Sequence, residues 1–449
     1  MSQTTTTQLG SEAIAHHPPQ NYTLPPVPAL HHLDDGITKN GTQDSGDDLE
    51  FHDLPPFPDD VPTAPLLRLS LKKLIDHDSN EEERLWQTCR DVGFFYLDLR
   101  DGDQPSSANG TQHPSQSNNS NDKSGPTPNG AALLNHANQL FPIGEKVFSL
   151  STAEKQTYDF KDQGSYFGYK GLGAGVVDAK GTKDANEFYN VSKDDLFGIS
   201  EVLPAPEVLK GEESREILRG FMTEAHGVVR LLLGVLNRKL GLPARKLEDL
   251  HRLMGVSGDQ VRWVRSPPKP DQDANQLALG EHTDFGSVTV LFNRLGGLQI
   301  LPPGGEEWCY VKPLQGHCIV NLGQYFTTYI PLVGRSSWRL LTMKLGDAMV
   351  KFTSGVLRSN IHRVVNPPGQ QADQTRMSLV YFARPEDEVL LKPLEGSEII
   401  DAKQRENGGA GDDEEVITSK EWIKRRALGR RTGGDYAASH GTEGGRMKA

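Results

Sequence analysis

Cysteine is scarce in this chain: three in 449 residues, Cys89, Cys309 and Cys318. They are scattered, with no C-x-x-C pair, which argues against a disulfide framework and fits a reducing compartment, here expected to be the cytoplasm. Long apolar runs are missing too. No stretch approaches the roughly 18 apolar residues of a membrane span, so no membrane partner is expected. Met1 to Asn21 has neither a basic start nor an apolar centre, and no signal peptide is read there. Positive charge is in deficit, with 48 Lys and Arg against 60 Asp and Glu. The net −12 argues against a nucleic-acid partner and mainly serves solubility.

Three segments carry too little apolar surface to offset the entropy of ordering. Residues 1–61, rich in Pro, Thr, Asp and Gly, are expected to be disordered. Residues 102–130, with the run Gln112 to Asn121, read as a low-complexity, solvated insert. Residues 402–449 read as a mostly disordered tail with one helix, because Thr418-Ser419-Lys420-Glu421 supplies a capping box ahead of Trp422. The basic stretch from Lys424 to Arg431 is taken as a solvated helix face in preference to a nuclear address.

The folded part lies between. An N-terminal region, 62–240, contains helical patterns over Glu82–Arg90 and Ala131–Phe148 on either side of the strand-like Phe94-Phe95-Tyr96-Leu97. Ser214 to Leu240 is a long amphipathic pattern through Ile217, Leu218, Phe221, Val228, Leu231, Leu232 and Val235. From Gln260 the pattern changes to short apolar strands separated by Pro and Gly turns, as in a sandwich or barrel. The core is expected over 255–385, braced by the helices.

His282-Thr283-Asp284, with His362 and then Arg376-Met377-Ser378 further along, carries the chemistry. Side chains at i and i+2 of a strand share a face, so His282 and Asp284 can reach one ion from a strand end. Two imidazoles and a carboxylate form the facial triad of non-heme Fe(II) oxygenases, which leaves the remaining positions open. The Gly171-Leu172-Gly173-Ala174-Gly175 run lacks nucleotide-loop spacing and reads as a loop. His317 has no ligand partner at useful spacing and reads as a strand residue.

Several words of this sequence together resemble one family. Gly280 to Gly286, Gly297-Leu298-Gln299, Val320-Asn321-Leu322-Gly323, Phe352-Thr353-Ser354-Gly355, Ser359 to Val364, Arg376-Met377-Ser378 and, upstream, Asp91 to Tyr96 are similar to the 2-oxoglutarate- and Fe(II)-dependent dioxygenases of the isopenicillin N synthase-like group. The resemblance covers about 62–395. It implies a mixed α+β fold with a double-stranded β-helix (jelly-roll) core, an oxidoreductase of the kind found in secondary metabolism, and a monomer. It also implies Fe(II) on His282, Asp284 and His362, and 2-oxoglutarate held by Arg376 and Ser378, with ascorbate as a supporting reductant. The other reactants are dioxygen and a small organic substrate to be hydroxylated, desaturated or cyclised, and the Gly171–Gly175 loop lies near the substrate mouth. Where many relatives carry Asn-Tyr-Tyr-Pro, this chain has Val264-Arg265-Ser266-Pro267, so Ser266 replaces a tyrosine and reaches the co-substrate only through a water. Two other readings stay open: an Fe(II) oxidase that does not use 2-oxoglutarate, and a catalytically silent jelly-roll binding protein.

Residues 324–346 interrupt the resemblance. The family reads Asn-Leu-Gly-Asp, whereas here Asn321-Leu322-Gly323 is parted from Asp347. Removing 324–346 restores that word and shortens the Asp284-to-His362 separation from 78 to 55 residues. Codons for Gly323-Gln324 and Leu345-Gly346 can supply a splice donor and acceptor in matching phase. The segment therefore reads as an intron-derived insert.

Overall fold

The computed structural model describes residues 49–100, 126–178, 180–268, 277–322, 348–358, 360–408, 416–431 and 433–434. Most of the expected insert 102–130 and all of 324–346 lie outside these residues. The described residues fall in one compact unit, and none of their helices is long and apolar enough to cross a membrane.

The strands are β1 (Arg68–Ser70), β2 (Phe94–Asp98), β3 (Gly168–Lys170), β4 (Glu187–Ser192), β5 (Gln260–Ser266), β6 (Leu277–His282), β7 (Val288–Asn293), β8 (Leu298–Ile300), β9 (Cys309–Tyr310), β10 (His317–Leu322), β11 (His362–Val365) and β12 (Arg376–Ala383). They form an eight-stranded sheet in the order β1-β2-β10-β7-β12-β5-β4-β3 and a four-stranded sheet in the order β6-β11-β8-β9. Only β1–β2 is a parallel pair; the rest are antiparallel. This is the jelly-roll core expected from the sequence, but β1 to β4, which precede Gln260, join the same large sheet.

The helices are α1 (Leu71–Ile75), α2 (Ser79–Asp91), α3 (Gly130–Ser149), α4 (Thr152–Gln156), α5 (Lys193–Leu196), α6 (Glu207–Lys210), α7 (Glu212–Lys239), α8 (Ala348–Thr353), α9 (Glu398–Glu406) and α10 (Ser419–Gly429). Asn129 caps α3 by accepting from the Ala132 amide at 2.9 Å. Helix α7 places Glu212 and Glu213 in its first turn and Arg238 and Lys239 in its last, the orientation its dipole favours. The capping box of Thr418 and Glu421 is present and starts α10 as predicted.

Strand β12 is buried along its whole length because each face has its own cover. Met377, Leu379, Tyr381 and Ala383 pack with α3 and α7, while Val380 and Phe382 alternate toward the space between the sheets and meet Leu298 and Ile300. On β5, Trp263 lies on the helical side, and its indole nitrogen donates to the Leu140 carbonyl at 2.9 Å. Gly144 makes this contact possible: a Cβ there would stand 2.5 Å from the Trp263 ring. The helices thus brace the outer face of the large sheet and leave its inner face for the site.

Two boundaries differ from expectation. Ordered chain begins before residue 62: Phe57 is buried against Tyr310 with ring centroids 6.2 Å apart, and Gln371 donates to the Pro55 carbonyl at 2.8 Å. An aromatic and prolines in a polar stretch were enough to dock it. The basic stretch from Lys424 to Arg431 is only in part a solvated face: Lys424 and Arg425 are exposed, but Arg426 and Arg431 are not. Arg426 is fully buried with its guanidinium over the Phe285 ring, and Arg431 pairs with Asp159. Trp422, Ile423 and Arg426 turn the same way and carry the helix onto the site.

Candidate metal centre and its cavity

His282 ends β6 and His362 begins β11, and the two are direct cross-strand partners. Asp284 follows two residues after His282, past the strand end. One donor atom from each of the three lies within 4.8 Å of the others, and all three residues are buried. The orientation of each is fixed from behind. His282 Nδ1 lies 2.8 Å from the Gly280 carbonyl and His362 Nδ1 lies 3.2 Å from the Asn360 carbonyl. Donation to a carbonyl puts the proton on Nδ1 and leaves Nε2 as the lone-pair nitrogen. Asp284 Oδ2 accepts from Thr289 Oγ1 and from Asn321 Nδ2, each at 2.6 Å. Its Oδ1 is left facing the two imidazoles, 3.9 Å from His282 Nε2 and 3.7 Å from His362 Nε2. Burial, with His362 alongside, holds His282 neutral, well below the ordinary histidine range. The Phe94 ring meets His362 edge to face at 5.4 Å and limits its rotation. Two imidazoles and one carboxylate with their outer atoms satisfied suit a divalent iron.

Arg376 and Ser378 lie on the same face of β12, as the i, i+2 spacing requires. The guanidinium is 2% exposed; Nε donates to the Gly296 carbonyl at 2.8 Å and a terminal nitrogen to Ser378 Oγ at 3.3 Å. No carboxylate balances it among the described residues, and burial alone pushes it down to about 10. Gly297, at φ +100°, lets the chain pass over this side chain; a Cβ would come within 3.3 Å of Arg376 Nε. Ser266 is the cross-strand partner of Arg376, and its buried hydroxyl has no hydrogen-bond partner. The chain thus keeps a polar atom, shorter than the family's tyrosine, at the expected place.

One cavity joins these groups. It is lined by the three candidate ligands, by Arg376, Ser378 and Ser266, and by the apolar Phe94, Leu291, Leu298, Val364 and Val380. Gly175 and Val176 line it, so the end of the glycine-rich loop borders the cavity. His317 is elsewhere, near Arg68 and Asp98. Sequence reasoning missed Arg262, Lys170, Arg384, Arg430 and Arg431, all of which line the cavity. Among them, only Arg262 carried a usable signal, its even spacing from Ser266 along β5.

Two facing sheets around a His-Asp-His group give the donor set and setting that suit a mononuclear metal-dependent oxygenase of the jelly-roll class. The comparisons with known proteins are more specific. Residues 258–329 match the 2OG-Fe(II) oxygenase superfamily. The chain is 29% identical to a 2-oxoglutarate-dependent dioxygenase of Aspergillus fumigatus, over 77% of this chain and 81% of that one. It is 28% identical to the 2-oxoglutarate-dependent dioxygenase gloE of Glarea lozoyensis, over 74% and 83%. Its fold resembles full-length T7H of Neurospora crassa, solved with α-ketoglutarate and 5-formyluracil, with a TM-score of 0.57 and 18% identity over 83% and 97%. The chain is similar to the 2OG-Fe(II) oxygenase superfamily and fits its isopenicillin N synthase-like group. It is a dioxygenase that uses Fe(II) and 2-oxoglutarate.

Proposed function

We propose that His282, Asp284 and His362 hold the Fe(II), and that Arg376 with Ser378 and Ser266 holds the distal carboxylate of 2-oxoglutarate. Bound there, the iron supplies the redox chemistry: 2-oxoglutarate, dioxygen and a substrate C–H go to succinate, CO2 and the oxidised substrate. The residues of the chain supply position and a dry setting. Nδ1 donation to backbone carbonyls keeps both imidazoles aimed inward, and Thr289 and Asn321 hold the Asp284 carboxylate to one orientation. Arg376 offers a planar fork that matches a carboxylate. The apolar walls between it and the ligand group exclude water, which strengthens that ion pair. Ser266, too short for direct contact, reaches the co-substrate through a water.

The observation that carries this reading is a buried guanidinium without a carboxylate, in the same cavity as three pre-oriented metal donors. Alanine at His282, Asp284 or His362, one at a time, tests it by metal analysis after reconstitution with Fe(II). Each variant is expected to fold and to lose iron. Full iron content in any of the three would remove that residue from the site.

A further inference from the structure

The cavity has a second cationic end. Ser266, Val264 and Arg262 all line it from β5. Four residues of strand set Arg262 on the order of 13 Å from Ser266, well separated from the place assigned to the 2-oxoglutarate carboxylate. Cross-strand pairing agrees: Arg262 lies opposite Val380, while Ser266 lies opposite Arg376.

Arg262 is held rigidly. Its Nε donates to Asn190 Oδ1 at 2.7 Å, and Asn190 is itself fixed by donation to the Tyr166 carbonyl. The guanidinium lies between two rings, 4.2 Å from the Phe188 centroid and 4.9 Å from that of Phe382. These contacts engage the guanidinium plane through two rings and occupy one nitrogen. Among the described residues the two terminal nitrogens have no protein partner, on a residue that borders the cavity. The nearby carboxylates are committed elsewhere: Asp184 to Lys170, Asp159 to Arg431, and Asp284 to the metal group. Burial, with Arg384 and Arg431 close by, pushes Arg262 down to about 9. A charge kept in such a place without a partner is costly, and the planar, aromatic-clamped fork is prepared for one flat anion.

We propose that Arg262 binds a carboxylate of the organic substrate, so that this enzyme oxidises a small organic acid anchored at that end. The inference rests on the Fe(II) and 2-oxoglutarate reading for what happens to the bound acid, but not for the binding itself. The planar fork of the clamped guanidinium matches a flat, two-oxygen anion, which favours a carboxylate over a tetrahedral phosphate.

The test is calorimetric titration of the full chain, loaded with Mn(II) as a redox-inert metal and with 2-oxoglutarate. The probes are phenylacetate, 3-phenylpropanoate and 4-phenylbutanoate, each against its primary amide. At least one acid should bind about tenfold or more tightly than its amide, and Arg262→Gln should remove that preference. Arg262→Gln should leave 2-oxoglutarate affinity within about twofold of wild type, which shows that the variant is folded and the co-substrate end intact. Equal binding of acids and amides, no acid binding up to about 10 mM, or an unchanged preference in Arg262→Gln would each overturn the proposal. Failure of the 2-oxoglutarate reading has a separate signature, namely no 2-oxoglutarate binding by the wild type; the acid–amide comparison is then read on the Mn(II) protein alone.

Discussion

Replacing Arg376 by methionine separates a ligand clamp from a structural cation. The side chain is 2% exposed and makes two hydrogen bonds, to Gly296 and Ser378, with no carboxylate among the described residues. Its displacement from 12.5 to about 10 by burial corresponds to roughly 3 kcal/mol at 1.36 kcal/mol per pH unit. A bound carboxylate relieves that cost. Its loss should therefore raise the Kd for 2-oxoglutarate by roughly 100-fold, at about 1.4 kcal/mol per factor of ten. Methionine fills much of the same space without the charge, so the ligand-free protein should keep its stability within about 1 kcal/mol, because an unpaired buried ion contributes little net stabilisation. Calorimetric titration of 2-oxoglutarate into the Mn(II) protein reads the first quantity, and denaturant melts without ligand read the second. Arg376→Lys should fall between, since a point charge replaces a two-pronged fork. A Kd in Arg376→Met within about threefold of wild type, or a collapse of ligand-free stability, would refute the reasoning.

His251 is buried, with Nδ1 donating to the Leu247 carbonyl and Nε2 accepting from Ser287, each at 2.7 Å, and burial pushes it down to about 4. Its folded value lies below the unfolded 6.5, so stability present above about pH 6.5 is lost as pH falls toward 4, by up to roughly 3 kcal/mol. Denaturant melts at pH 7 and 4.5 should show a shallower loss in His251→Gln than in wild type, and equal losses would count against it. Gly144→Ala drives a methyl into Trp263 and should cost about 1–3 kcal/mol in the same melts without changing 2-oxoglutarate affinity; an unchanged midpoint would mean that α3 is not seated on β5 as described. For 324–346, we expect the dominant mature transcript to lack the segment, and the protein without it to express more solubly and load more iron. The family match that starts at 258 ends at 329, within the segment. A dominant message encoding 324–346 would refute the intron reading.

The clustering of the His-Asp-His candidates was legible because its logic is largely local. His282 and Asp284 are two residues apart at a strand end, and the words around His362 and Arg376 are distinctive. The helices were legible for the same reason: Asn129, Thr418 and the apolar stripe of α7 act within a few turns. Arg262 was not, because its setting is assembled from Phe188 and Asn190 on β4 and Phe382 on β12, which only the sheet register brings together. The sheet order itself, with β2 inserted beside β10, depends on pairings more than 200 residues apart in the chain. Arg426 misled for a related reason: a charged residue on a polar helix looks solvated until Phe285 and Trp422 are known to enclose it.

The most direct test of the account is the stoichiometry of turnover. Protein reconstituted with Fe(II) and given 2-oxoglutarate, with a crude metabolite extract as the source of substrate, should form succinate in step with oxygen consumed. Both signals should vanish in Asp284→Ala and when 2-oxoglutarate is left out. Oxygen consumption and substrate oxidation that proceed without 2-oxoglutarate, or without succinate, would contradict it.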